Sequence, residues 1–228
     1  ERVTSVTFMR FPFAEYGSKE LSFFGMFFFV LIILSLFFYP LVVIPISIFL
    51  FFVFYFFRDP NRNLPEGEEK LLAPADGRII SISHVHEDNY LKCKAVKIAT
   101  FMSLFSVHVN RISYSGKVEF IKHVPGKFLD ARSPDASEKN EHNLLGILTS
   151  DGKTKIMIKQ VAGKVARRIV CDCSIGQDVE RGRRFGMIKF GSRLEVYIPE
   201  DADFEIAVKE GEMVSAGTTV LGILKGKD

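Results

Sequence analysis

"KFGSRLEV", residues 189–196, spaces Phe190, Leu194 and Val196 for one face of a β-strand, yet Gly191-Ser192 interrupts the alternation. A glycine here admits backbone angles closed to other residues, and it places a small nucleophile beside them. The same period of two extends outward through "GRIISIS" (77–83), "AVKIATFM" (95–102), "GKVEFI" (116–121), "TKIMIKQVAG" (154–163), "ARRIVCDC" (166–173), "RLEVYIP" (193–199) and "TTVLGIL" (218–224). β-Branched residues at alternate positions, with no sustained 3.6-residue pattern, predict a mainly β domain over residues 71–228. Only "SEKNEHNLL" (137–145) reads as helical.

A weak internal repeat refines the fold class. Gly176-x-x-Val179-x-x-Gly182 returns as Gly211-x-x-Val214-x-x-Gly217, each copy followed by a short apolar run. Such turns resemble the bends of lipoyl and biotinyl carrier domains, so a barrel-sandwich-like domain is expected. The lysine-bearing tip of those carriers is absent.

Upstream the composition changes abruptly. Leu21 to Phe57 runs 37 residues without Asp, Glu, Lys or Arg, and ten or more of them are Phe. About 20 residues span a bilayer core, and Tyr39-Pro40 divides the run, so an α-helical membrane hairpin is expected over 21–57, with helices at 21–38 and 41–57 and a kink at Pro45. Arg2, Arg10 and Lys19 precede it and Arg58, Arg62 and Lys70 follow, which places both ends, and the β domain, on the cytoplasmic side of the cell membrane. Residues 1–20 form an N-terminal segment, and the proline-bounded, charged residues 58–70 read as a linker.

Cys93, Cys171 and Cys173 make neither an even disulfide set nor a zinc site, so reduced thiols and no metal are expected. Net charge is only +3, but Lys164, Arg167, Arg168, Arg181, Arg183 and Arg184 cluster. Beside a membrane anchor, anionic lipid is a nearer partner for them than nucleic acid.

Ser192 following Gly191 suggests chemistry on the chain itself: the hydroxyl attacks the preceding carbonyl, an ester forms, and elimination leaves dehydroalanine and then a pyruvoyl group. Alone, Gly-Ser is more often a strand-edge turn. Other motifs raise the odds: "FFRDP" (56–60), "APADGRI" (73–79), "FSVHVNR" (105–111), "HVPGKFLDA" (123–131), "ARRIVC" (166–171) and "RRFGMIKFGSRLEVYIP" (183–199) occur in that order. The series resembles the short-form phosphatidylserine decarboxylases, pyruvoyl-dependent carboxy-lyases of phospholipid synthesis.

The resemblance implies a proenzyme cut between Gly191 and Ser192 into β and α chains, with Ser192 becoming the pyruvoyl cofactor and no need of pyridoxal phosphate. The amine of a phosphoserine lipid, with an ester or ether backbone, would condense with that carbonyl as an imine and lose its carboxylate. His108 is implied as an active-site histidine and Asp76 as part of the processing machinery. Relatives with a longer form carry a second histidine where this chain has Arg111, so His123 or a doubly used His108 would replace it. His142 stands where short forms carry arginine. Arg167 and Arg168 are candidates to grip the lipid phosphate, and a homo-oligomer is left open. Two other classes compete: a membrane-tethered barrel-sandwich adaptor without catalysis, and a serine peptidase using Ser192, His108 and Asp76 as a triad.

Overall fold

The computed structural model describes residues 13–164, 168–189 and 191–225. It divides into two units, residues 1–61 and 62–228. In the first, α1 (Ser18–Phe38) and α2 (Val43–Phe56) are joined by a 3-10 turn at Pro40–Val42 and touch through rings such as Phe28 and Phe49, 5.0 Å apart. Hydrophobic all round, α1 belongs to an apolar helix over Glu15–Phe38 that is long enough to cross a membrane, and none of its apolar window is buried. The second helix is shorter than expected. Pro45 falls within its first turn, where a missing N–H costs least, and the helix runs on through it.

The second unit contains β1 (Lys70–Leu72), β2 (Gly77–Glu87), β3 (Cys93–Met102), β4 (Val109–Arg111), β5 (Gly116–Val124), a short α3 (Ala136–Lys139), β6 (His142–Thr149), β7 (Lys155–Val161), β8 (Ile169–Cys171), β9 (Asp178–Val179), β10 (Arg184–Ile188), β11 (Ser192–Pro199), β12 (Phe204–Ile206), β13 (Met213–Val214) and β14 (Val220–Leu224). An antiparallel eight-stranded sheet has the order β13-β2-β3-β11-β7-β6-β5-β9, and two three-stranded sheets, β1-β14-β12 and β4-β10-β8, complete the unit. This is the mainly β fold expected.

The glycine repeat marks the two edges of the large sheet. Gly176, Gly182, Gly211 and Gly217 all have φ between 74° and 86°, the left-handed region that glycine enters without penalty. Gly176 N–H donates to Val118 O on β5, and Gly211 N–H donates to Ile79 O on β2. The two copies thus close opposite edges with the same turn.

Two boundaries differ from expectation. Residues 62–70 are not a free linker: Arg62 pairs with Asp76 at 2.7 Å, and Arg181 donates to Pro65 O at 2.9 Å. That also removes Arg181 from the expected lipid-facing patch, because it is buried against this segment. The helix read over 137–145 stops at Lys139. Asn140 is extended, with its buried side chain bonded to Leu129 and Ala162, and the residues that follow are the doubly buried strand β6.

Candidate active site

Gly191 and Ser192 lie where the chain leaves one sheet for another. β10 ends at Ile188 in the small sheet with β4 and β8, and β11 begins at Ser192 in the middle of the large sheet between β3 and β7. The expected interruption within one strand is therefore a corner between two strands. Gly191 makes it with φ +47°, an angle that would strain any other residue. Phe190 lies outside the described residues.

Ser192 pairs with Met102 across the ladder and is fully buried, and its Oγ donates to Met102 Sδ at 3.5 Å. His108 sits in the segment leading from β3 into β4 and is equally buried. Its Nδ1 is 2.9 Å from Ser106 O. A carbonyl can only accept, so in the neutral ring Nδ1 carries the proton and Nε2 is the basic nitrogen. Asn110 links the two: its Nδ2 donates to His108 O at 3.3 Å and to Met102 Sδ at 3.8 Å. Behind it, Gln160 Nε2 donates to Asn110 Oδ1 at 2.8 Å, and Asn143 Nδ2 donates to Gln160 Oε1 at 3.2 Å. Buried amides so connected hold one arrangement, because breaking any link strands a desolvated polar group.

Asp76 precedes β2 at the same end of the sheet, where Arg78 and Arg193 both pair with Phe101. Arg111 N–H donates to Pro74 O, which brings the 73–76 loop alongside β4 and toward His108. The described hydrogen bonds of the Asp76 carboxylate go elsewhere, Oδ2 to Arg62 and Oδ1 to Ala216 N–H at 2.7 Å. Arg111 is buried with its Nη1 donating to Gly182 O at 3.0 Å, while His123 is half exposed on β5 with Glu141 at 3.7 Å. Thus Ser192, His108 and Asp76 share one end of the sheet, and His123 is directed to its surface. Arg168 is exposed and its carbonyl accepts from Lys189 N–H, close in sequence to the corner; Arg167 lies outside the described residues.

The reverse face of β11 carries a second buried group. Glu195 is completely enclosed, with Arg193 Nε at 2.9 Å from Oε1, and both Tyr197 OH and Ser137 Oγ donating to Oε2 at 2.6 and 2.8 Å. Burial opposes its ionisation, but the charges of Arg193 and Lys159 outweigh that and hold its carboxyl below the usual range. Burial pushes the Lys159 ammonium and the nearby His142 imidazole down. A cavity of about 210 Å³ on this side is lined by Lys97, Ser137, Lys159 and Tyr197 among others.

The family described as phosphatidylserine decarboxylase matches residues 49–222. The chain belongs to that family. It is 48% identical over 180 residues to a phosphatidylserine decarboxylase proenzyme of Syntrophus aciditrophicus, covering 79% of this chain and 83% of the relative. Proteins of the same description from Carboxydothermus hydrogenoformans and Cupriavidus metallidurans are 44% and 45% identical over 179 and 181 residues, which is 78% and 79% of this chain and 82% of each relative. Phosphatidylserine decarboxylases are carboxy-lyases, so the chain is an enzyme of that class. Within the family domain, sequence reasoning passed over Met102, Asn110, Asn143 and Gln160. The signal available was Gln160 on the strand face that it shares with Ile156 and Ile158, since a buried amide requires partners.

Proposed function

We propose that this chain is a precursor that cuts itself between Gly191 and Ser192 and then converts phosphatidylserine to phosphatidylethanolamine and carbon dioxide. The observation that carries the reading is the coincidence of family membership with a buried serine placed immediately after a glycine of positive φ, at the corner between two sheets. In the cut, the bond from Ser192 Oγ to the Gly191 carbonyl carbon forms, the Gly191–Ser192 C–N bond breaks, and the hydroxyl proton ends on the freed amine. Loss of the Ser192 α-proton then expels the Gly191 carboxylate, breaks the Cβ–O bond and leaves dehydroalanine. Water adds, ammonia leaves, and residues 192–228 begin with a pyruvoyl group.

The surroundings fit that group. It would head a strand hydrogen-bonded on both sides, beside Met102 and on the same end of the sheet as His108. When formed, it supplies an electron-poor carbonyl that takes the head-group amine and the electrons left by the carboxylate. His108, basic at Nε2, is suited to take the Ser192 proton and later to deliver one to the product carbon. Asp76 contributes by holding the 73–76 loop, and its bond to Ala216 joins what become two chains. Since β11 lies between β3 and β7, the chains stay together after the cut. The apolar helix Glu15–Phe38 supports attachment to the membrane, and the basic residues flanking the apolar run favour a β unit on the cytoplasmic side, where Arg168 could meet the lipid phosphate. A peptidase triad is less well supported, because the described bonds of Asp76 go to Arg62 and Ala216.

Intact-mass analysis, paired with an assay for ethanolamine lipid, tests the reading. Wild-type protein should resolve into residues 1–191 and a pyruvoyl-blocked 192–228, and Ser192→Ala should remain whole and inactive. An active Ser192→Ala protein sinks the proposal. His108→Ala should cut and decarboxylate about 100- to 10,000-fold more slowly, the loss typical of a missing general acid or base; unchanged rates would remove His108 from the reaction.

A further inference from the structure

β7 and β11 pair with Val161 opposite Arg193, so the same register carried two residues further sets Gly163 opposite Gly191. The opposition is close. A Cβ built on Gly163 would fall on the carbonyl oxygen of Gly191, deep inside van der Waals contact, with the Cβ of Ala131 at 3.3 Å beside it. Only hydrogen fits in that direction. By contrast, a Cβ built on Gly191 itself meets nothing within 4 Å. Gly163 has no positive φ to explain it, so the requirement here is for space next to one particular oxygen.

That close approach has a built support. Asn140 is fully buried and its Nδ2 donates to Ala162 O at 2.7 Å and to Leu129 O at 2.9 Å, while its Oδ1 accepts from Leu129 N–H at 2.9 Å. Ala162 N–H donates to Glu141 O at 2.9 Å. One amide side chain therefore pins the end of β7 that meets the Gly191 carbonyl, through Ala162, and the 129–131 loop that flanks Gly163, through Leu129.

We propose that Gly163, held by Asn140, is a positioning residue for the self-cleavage: it fixes the oxygen of the scissile carbonyl so that the carbonyl carbon faces Ser192 Oγ. The inference rests on cleavage between Gly191 and Ser192. Attack requires the carbonyl to present one face to the hydroxyl, and as the tetrahedral adduct forms its oxygen must move little, because Gly163 leaves no slack behind it. Gly163→Ala would push that oxygen aside and turn the carbonyl away. The affected step is bond formation between Oγ and the carbonyl carbon, before any ester exists.

The test follows full-length protein by intact mass, with hydroxylamine added to cleave any accumulated ester. Gly163→Ala should cut at least about 100-fold more slowly than wild type, the scale of a misplacement near 1 Å, and hydroxylamine should release no fragment. Gly116→Ala is the matched control, since its new Cβ would strike the Leu148 carbonyl oxygen elsewhere in the sheet, on β5 between β6 and β9; it should lower the melting temperature yet cut at a rate near wild type. Normal cutting by Gly163→Ala, an ester trapped by hydroxylamine, or equal slowing in Gly116→Ala overturns the role. If Gly163→Ala does not fold, Asn140→Asp decides: it loses both donated bonds and should cut about 10-fold more slowly while remaining folded, and wild-type cutting overturns the proposal. A wild-type chain that is never cut at 191–192 would instead defeat the underlying cleavage reading, so the two failures are distinct.

Discussion

The two faces of β11 are equally buried and chemically opposite. On one, Ser192, Leu194, Val196 and Ile198 point with Met102, Ile158 and Leu145 into apolar cores; on the other, Arg193, Glu195 and Tyr197 meet Lys159 and Ser137. The contrast teaches how a chain cut in mid-sheet, as proposed at Gly191-Ser192, would stay assembled. The apolar face holds by packing, which is indifferent to the loss of one peptide bond. The polar face holds by paired charges and hydrogen bonds that tie β11 to α3 and β7, elements on the other side of the proposed cut.

The most disruptive way to break the comparison is to remove the charge that balances the polar face. Glu195→Gln leaves Arg193 and Lys159 enclosed without a carboxylate, and should cost about 3–5 kcal/mol in urea melts of the uncut Ser192→Ala chain in detergent. Adding Arg193→Met should restore part of that loss. A cost below about 1 kcal/mol would mean that water reaches the cluster and that the face is not closed.

Leu194→Ala probes the apolar face in the same background. A fully buried leucine in the core should cost about 3 kcal/mol through lost burial and the cavity left behind. Near-additivity with Glu195→Gln would show the faces acting independently, and strong coupling would show that the strand transmits strain between them.

The smallest effect is a slope with pH. Burial holds the His142 imidazole below its ordinary 6.5, so as pH falls the unfolded chain takes up the proton first. Stability is therefore full above about 6.5 and declines below it, and His142→Gln should flatten that decline. Glu195, whose folded carboxyl lies below the ordinary 4.5, contributes stability above that value and loses it as pH falls further. Melting curves from pH 7 to pH 2 read both; a His142→Gln curve parallel to wild type would remove the histidine from the account.

Legibility differed from element to element. The strands, the two glycine turns and the apolar helix were readable because period, left-handed glycines and an uncharged run are local properties. "RLEVYIP" was read correctly as a strand, but its alternation suggests one wet face, and charges do not show in sequence that they will be paired. The end of α3 was misread because Asn140 answers to Leu129 and Ala162, each more than ten residues away.

By itself the sequence determined that a mainly β unit follows an apolar hairpin, and that Gly191-Ser192 sits among the ordered motifs of a decarboxylase family. Those are matters of residue type, spacing and order along the chain. Only the tertiary structure decided that Gly191 turns a corner between sheets, that Met102 and Asn110 lie between Ser192 and His108, and that Gly163 stands against the Gly191 carbonyl. The physical reason is that strand pairing joins residues remote in sequence, and a clash or a shared hydrogen bond exists only once that register is set.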